Sequence, residues 1–405
     1  MRSSILRAAG LAAGWAAVLA AGWPLAASAQ GMFSGNKLNP SISLILDGQF
    51  SSYQNDSDDY EISGFMLDEE AGLSAEGFSL DETELVVSGN VDDWFYGYAD
   101  VVFEDNEDGT EVELEEAYFE TLSLPSGLAL KGGKFLSAVG YNNRFHPHSW
   151  DFSDEPLVYR AMLGGALSDT GAQIRWLAPI DLFLEFGAEG FQGDGYPAAG
   201  GANDGVGAWT AFAKVGGDLN PSNSWKAGVS VYRYDVDDRT SDIEDGEMSF
   251  NGDGNDIYIG EFVWKWAPNG NPRQRNFKFQ TEYFYRDENG STDADTSTVS
   301  ESGRYDLDQK GFYAQGVYQF RQGWRFGLRY DWLSADNTLV GITVPNPLDD
   351  DNRDPKRYTA MVDYARSEFS RLRLQFTRDE SSSESDNQVF LQYIMSIGAH
   401  GAHQF

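Results

Sequence analysis

Residues 324–332 read WRFGLRYDW, and this stretch decides the fold class. Every second residue from Trp324 to Trp332 is bulky and apolar, and Arg325 and Arg329 lie among the residues between them. Alternation with a period of two predicts a β-strand with one apolar and one polar face. In a membrane barrel the apolar face meets lipid, whereas in a soluble sandwich it packs a core. Periodicity alone does not separate the two.

The same alternation recurs along most of the chain in segments of about ten residues. Sixteen strands are predicted, from 41–53 at one end to 387–398 at the other. The connections alternate between tight turns and long acidic segments, which we predict to be external loops at 54–79, 237–255 and 287–308. An even strand number with short periplasmic turns and long external loops is typical of outer-membrane barrels. The prediction is therefore an all-β, transmembrane, antiparallel up-and-down barrel.

Composition excludes several classes of protein. The chain has no cysteine, so it has no disulfide framework and no cysteine-ligated metal site. Acidic residues outnumber basic ones by 64 to 29, which argues against a nucleic-acid partner. Aromatic residues make up 14% of the chain, which is too many for a disordered acidic protein.

The N-terminus has the pattern of an export signal. Arg2 and Arg7 precede an apolar stretch, and Ala27-Ser28-Ala29 supplies small residues at a cleavage position. We therefore expect a signal peptide at 1–29 and an outer-membrane barrel at 30–405, and the alternative is a membrane anchor. After this segment no apolar run approaches the roughly 18–20 residues of a spanning helix.

Charged residues on the polar strand faces are candidates for the lining of a lumen. The acidic candidates come from early strands and the basic ones from late strands: Glu113, Glu115, Glu185, Glu189, Lys265, Arg325, Arg329, Arg371 and Arg373. One interpretation is an acidic wall opposite a basic wall, which would set ion selectivity. The other is that these charges pair with strand neighbours.

The four histidines form two close pairs and are candidate metal ligands. His146 and His148 lie in a segment at 140–169, and His400 and His403 lie near the C-terminus. Imidazole is a common ligand for zinc, and Asp151 would add a carboxylate to the first pair. The alternatives are a loop-packing motif for the first pair and an assembly tail for the second. The segment 140–169 is unusually apolar, so we predict that it folds inward against the barrel wall.

Three stretches resemble a known proteobacterial family. They are FHPHSWDF at 145–152, FVWKWAPNGNP at 262–272 and GAHGAH at 398–403. They resemble the outer-membrane porin superfamily and, within it, proteins labelled zinc-regulated outer-membrane receptors. The resemblance implies zinc-linked expression, and uptake of Zn²⁺ or a zinc complex. That label often includes energy coupling through TonB, but this chain has no room for a plug domain and a 22-stranded barrel.

Three functions compete. The first is a passive porin-like channel for small ions or solutes, and the second is a closed receptor that captures a metal or metal chelate. The third is an enzyme, which we do not expect because no Gly-x-Ser-x-Gly elbow surrounds any serine.

The expected location is the outer membrane. The expected partners are membrane lipid, lipopolysaccharide and, given the terminal Phe405, the barrel assembly machinery. Trimers are common among sixteen-stranded porins, but no residue pattern demands one.

Overall fold

The computed structural model of the protein describes residues 40–68, 71–80, 82–106, 109–198, 205–243, 246–350 and 352–398. The strands in these ranges form one antiparallel sheet. They are β1 (Ser41–Ser52), β2 (Gly77–Leu80), β3 (Thr83–Asn90), β4 (Phe95–Asn106), β5 (Gly109–Thr121), β6 (Leu128–Leu136), β7 (Ser168–Leu177), β8 (Phe183–Phe191), β9 (Ala208–Asn220), β10 (Asn223–Ile243), β11 (Gly246–Trp266), β12 (Asn276–Thr296), β13 (Ser300–Arg321), β14 (Trp324–Val340), β15 (Lys356–Ser367), β16 (Ser370–Glu380) and β17 (Asp386–Gly398).

The sheet closes on itself. One edge of β1 pairs with β17, and the other pairs with β2 and β3 in turn. β2 and β3 therefore act as one interrupted strand, and the seventeen strands listed above form a barrel of sixteen strand positions. The predicted antiparallel barrel is confirmed. The signal peptide expected at 1–29 lies outside the described residues, so the boundary at residue 30 stays a prediction.

Side-chain exposure decides which face of the strands meets water. On β14 the apolar residues are exposed, with 45% for Phe326 and 54% for Leu328. The polar residues of the same strand are buried, with 3% for Arg329 and 0% for Asp331. A soluble sandwich would bury the first set, whereas a membrane barrel presents it to lipid and keeps the second inside. The protein is an outer-membrane β-barrel.

Four strands are much longer than a membrane crossing requires. β10 to β12 have 21 residues each and β13 has 22, about twice the 9–11 residues that span a bilayer. The prediction of loops at 237–255 and 287–308 is therefore wrong. These segments are rich in residues that are depleted in strands, but cross-strand pairing continues through most of them. Inward-facing Phe250 and Tyr305 are also buried there, with ring centroids 5.1 Å apart.

An apolar core fills the end of the barrel with the long connections, which we assign as external. Two connections and the inner faces of β10 to β14 contribute most of it, including Ile62, Phe65, Met66, Leu157, Val158, Met162, Tyr234, Phe250 and Leu333. The helix α1 (Leu157–Leu163) is wholly buried in this core and ends at Gly164, whose φ of 65° suits glycine. No helix in the described ranges is long and apolar enough to cross a membrane.

Candidate functional site

The connection between β6 and β7, residues 137–167, lies inside the barrel, and we call it the constriction loop. Its backbone is bound by side chains from well-separated strands. The amide of Ala138 donates to Glu189 on β8 at 2.9 Å. Tyr141 donates to Glu282 on β12 at 2.6 Å, and the amide of Leu157 donates to a carboxylate on β14 at 3.0 Å. The segment packs against the inner wall, as its apolar composition predicts.

The two histidines of the loop meet carboxylates from three strands. We call this group the acid–histidine cluster: Glu84 of β3, Asp100 of β4, Glu115 and Glu116 of β5, and His146 and His148. His146 Nδ1 lies 3.0 Å from Glu115 Oε2, and His146 Nε2 lies 3.0 Å from Glu116 Oε2. His148 Nδ1 lies 2.5 Å from Glu84 Oε1. The structure thus brings His146, His148 and Glu115 together.

A β-bulge explains why two consecutive glutamates face the same side. Asp100 pairs with Glu116, and the next residue of β4, Val101, pairs with Leu114, so Glu115 is the extra residue. Strict alternation assigns Glu116 to the lipid face, which is why sequence reasoning missed it. A signal was present: the apolar residues change phase between Leu114 and Ala117, as a bulge between them requires.

The cluster is buried and rich in negative charge. Glu84 and Asp100 are each 0% exposed, and no N–H or hydroxyl group donates to one oxygen of each, Glu84 Oε2 and Asp100 Oδ1. Burial lowers the pKa of His146, but the neighbouring carboxylates, led by Glu115, outweigh it and raise that pKa well above its ordinary value. Ligand atoms of Glu84, Asp100 and His146 all lie within 4.8 Å of one another. Imidazole and carboxylate at this spacing could hold a divalent metal ion.

Asp151 does not join the histidines, contrary to expectation. Its carboxylate lies 2.6 Å from Lys278 Nζ and 2.7 Å from Arg325 Nη1. Burial raises the pKa of Asp151, but these two cations outweigh it and hold the pKa below its usual range. The loop turns away from the acid–histidine cluster after Trp150, so its next carboxylate reaches basic strands instead.

The basic side of the lumen holds the loop through a second carboxylate. Asp154 lies 2.8 Å from Arg329 Nη2 and 3.0 Å from Arg357 Nη1. Arg371 and Arg373 bind the backbone, donating to the carbonyls of His148 and Trp150 at 2.6 and 2.7 Å. We call this group the basic cluster: Lys278, Arg325, Arg329, Arg357, Arg371 and Arg373. Sequence reasoning missed Arg357 as a site residue.

The acidic and basic clusters lie only partly across the barrel from each other. The acid–histidine cluster lies on β3 to β5, and Lys278 on β12 and Arg325 and Arg329 on β14 lie across the ring from it. Arg371 and Arg373 on β16 are instead separated from it by only β17 and β1. Closure of the barrel makes the first and last strands neighbours, so early and late positions in the chain meet at the seam. Glu185 and Glu189 of β8 do lie across the ring from β16. Many of these charges also pair locally, as the second interpretation expects.

The remaining candidates that the structure describes do not belong to either cluster. Glu185 pairs with Arg175 at 3.4 Å, and Glu113 pairs with Lys134 at 2.7 Å in a partly exposed position. Lys265 of β11 is half-buried and lies beside Lys278 in the strand register. His400 and His403 lie outside the described residues, so their role as metal ligands stays a prediction.

Comparison with known proteins places the chain in a family. No family model matches the sequence. An uncharacterized protein of Aquifex aeolicus (strain VF5) is 33% identical over 401 residues, covering 92% of this chain and 81% of that protein. The chain belongs to the same family as this protein. The match extends over most of both chains.

Several solved outer-membrane proteins share the fold of this chain at low sequence identity. The outer membrane channel DcaP of Acinetobacter baumannii aligns with a TM-score of 0.53 at 14% identity, over 88% of this chain and 97% of that one. An anion-selective porin of Comamonas acidovorans aligns with a TM-score of 0.53 at 11% identity, over 89% and 99%. A loop-deletion mutant of OmpT of Vibrio cholerae aligns with a TM-score of 0.53 at 11% identity, over 89% and 99%. At these identities the likeness concerns the fold alone.

Proposed function

We propose that the protein is a porin-like channel through which small ions or solutes diffuse across the outer membrane. One observation carries the proposal: the constriction loop crosses a lumen lined by charged residues and is fixed to the wall at both ends of its central stretch. His146 binds the acidic strands, and Asp154 binds the basic ones. A loop fixed in this way narrows a polar passage, and the charges beside it set which ions pass.

The permeant we favour is a small ion, with Zn²⁺ or a zinc complex as the specific candidate. The acid–histidine cluster supports it because imidazole and carboxylate both bind zinc. The resemblance of 145–152 and 262–272 to zinc-regulated receptors supports it independently. A homotrimer, contact with lipopolysaccharide, insertion by the barrel assembly machinery and the absence of enzymatic activity remain predictions.

A closed receptor is the second candidate, and the apolar core favours it. Met66, Met162 and Leu333 belong to one buried cluster that joins two connections to the barrel wall at the external end. If this core closes the passage completely, the barrel would capture a metal chelate at its mouth rather than conduct.

Solute flux into proteoliposomes separates the two candidates. The refolded protein is incorporated into vesicles, and osmotic swelling is followed with small uncharged, anionic and cationic solutes of increasing size. A channel gives swelling that slows as solute size increases, with no energy source. No swelling with any solute, while the loop-weakened double variant Asp151→Asn plus Asp154→Asn does swell, would favour the closed receptor.

A further inference from the structure

We propose that the acid–histidine cluster is a binding site for one divalent transition-metal ion, with Glu84, Asp100 and Nδ1 of His146 as ligands. The site rests on its own geometry. Its effect on conduction, described below, rests on the proposed channel function. The carboxylate ligands are not those expected from the sequence, because they come from β3 and β4 rather than from the loop after His148.

The unpartnered oxygens are the first support. Glu84 Oε2 and Asp100 Oδ1 are buried and no N–H or hydroxyl group donates to them, while the other oxygen of each carboxylate has such a partner. The two carboxyls are also within hydrogen-bond reach of each other. A buried acceptor without a donor is costly, and two of them in one cluster require a proton or a cation near them. Two ligands bonded to one ion at about 2 Å lie at most about 4 Å apart, so ligand atoms within 4.8 Å of one another need only small side-chain shifts to bind the same ion.

The contacts of His146 are the second support. Glu116 Oε2, 3.0 Å from Nε2, also belongs to a carboxylate that accepts from the amide of Leu136, so Glu116 is a fixed acceptor. Nδ1 faces Glu115 Oε2 at 3.0 Å and Asp100 Oδ2 at 3.8 Å, so this ring nitrogen points at carboxylates from two strands. In the metal-free protein a proton on Nδ1 is donated to Glu115. A divalent ion would replace that proton and bond to Nδ1, while the proton on Nε2 stays with Glu116.

The surrounding groups complete an arrangement typical of metal sites. A metal-bound histidine usually donates its other ring N–H to a carboxylate, and Glu116 supplies that carboxylate here. His148 Nδ1 binds Glu84 Oε1 at 2.5 Å, which orients the second oxygen of Glu84 toward the centre. Glu115 is close enough to become a fourth ligand. In the described part of the chain, the four carboxylates of the cluster form ion pairs only with His146 or His148.

The donor set indicates the class of metal. One imidazole nitrogen with two or three carboxylate oxygens suits Zn²⁺ and other first-row divalent ions such as Co²⁺, Ni²⁺ or Mn²⁺. Ca²⁺ takes six to eight oxygen ligands and no nitrogen, so it is a poor match.

An ion at this position would regulate the constriction loop. His146 belongs to the loop, whereas Glu84 and Asp100 belong to the wall, so one ion bonds the loop to β3 and β4. Metal binding therefore holds the loop inward and lowers conductance, and chelation restores it.

The test is zinc binding to the full-length refolded barrel, measured by isothermal titration calorimetry. The background carries His400→Ala and His403→Ala, so that the tail contributes nothing. We expect one Zn²⁺ per chain, at least tenfold weaker binding for Glu84→Gln and for Asp100→Asn, and no change for Glu113→Gln, a carboxylate of β5 outside the cluster. Heat-modifiable electrophoretic mobility confirms folding of each variant. Equal affinity in all variants, or no stoichiometric binding, would overturn the proposal.

A second measurement needs no mutation of the residues that would bind the metal ion. X-ray absorption of Zn²⁺ bound to the same tail-substituted barrel should show nitrogen and oxygen neighbours with at least one imidazole, and an oxygen-only shell would contradict the site. The channel function and the metal site can be disproved independently of each other. Conduction without zinc binding leaves the channel and removes the site, whereas zinc binding without conduction leaves the site and removes the channel.

Discussion

Glu115 and Glu116 are consecutive in the chain, yet both carboxylates contact the imidazole of His146, one at each ring nitrogen. In a regular strand neighbouring side chains point to opposite faces. The bulge at Glu115 brings them to one side, so the strand holds the ring of His146 from two directions. This single irregularity anchors the acidic end of the constriction loop.

Deletion of Glu115 tests the bulge. Because Glu116 already pairs with Asp100 and Leu114 with Val101, removal of the extra residue leaves a regular ladder with the same faces. We expect the deletion variant to fold with wild-type yield and heat-modifiable mobility. Deletion of Ala117 also removes the extra residue, but it places Glu116 opposite Ala99 on the lipid face and should therefore impair folding. Similar yields for the two deletions would contradict the assignment.

Much of the barrel could be predicted from the sequence because its signal is local. Alternation at 324–332 needs no knowledge of distant residues, and its two faces follow from the pleat. The extended hairpins could not be predicted, because Asp, Gly and Ser are poor strand formers and only pairing between segments such as 246–251 and 291–296 makes them strands.

Substitution of Asp154 should destabilise the barrel. Asp154→Asn removes a negative charge between Arg329 and Arg357, whose side chains are 1% and 0% exposed. Removing one partner of a buried ion pair leaves an uncompensated charge and costs about 3–5 kcal/mol of unfolding free energy. Asp331 also pairs with Arg329 and Arg357, so we expect a loss near the lower end of this range. Urea unfolding in lipid vesicles measures it. The exposed Asp253→Asn is the control, expected within about 0.5 kcal/mol of wild type, and a matching small change for Asp154→Asn would contradict the pairing.

The basic end of the loop should remain bound in mild acid. Burial raises the pKa values of Asp151 and Asp154, but basic neighbours outweigh it and hold both below the ordinary value. A carboxyl with a lowered pKa contributes stability that is complete above the ordinary pKa and is lost as pH falls through the lowered one. We therefore expect hydrogen-exchange protection at 151–157, corrected for intrinsic rates, to hold from pH 7 to about 4 and to decline below. Loss of protection at pH 5–6 would contradict this account.

Reversal of charge at Lys265 should change ion selectivity. This side chain lies beside Lys278 on the inner wall, so Lys265→Glu replaces a positive charge near the passage with a negative one. An interaction of about 1 kcal/mol between an ion and a unit charge in water corresponds to roughly a fivefold rise in cation preference. Reversal potentials in asymmetric KCl measure it. Lys265→Gln should shift the potential in the same direction but less, and an unchanged potential in both variants would place Lys265 away from the passage.

The site was less predictable than the barrel because it depends on long-range geometry. His146 and His148 were identifiable as a pair, but their partners are Glu84 and Glu116, some 30 to 60 residues earlier. Asp151, the obvious local carboxylate, binds Lys278 and Arg325 instead. Which carboxylate reaches which wall depends on the path of the loop, and the closure of β17 on β1 places Arg371 and Arg373 near the acid–histidine cluster.

The most direct test of the central claim is single-channel conductance in planar bilayers. The refolded wild-type protein, with metal removed by a chelator, is compared with the double variant Asp151→Asn plus Asp154→Asn, which loses both carboxylate contacts with the basic cluster. A channel narrowed by the constriction loop predicts steady current in the wild type without an energy source, and larger or noisier current in the variant. No wild-type current at any salt concentration would contradict an open channel.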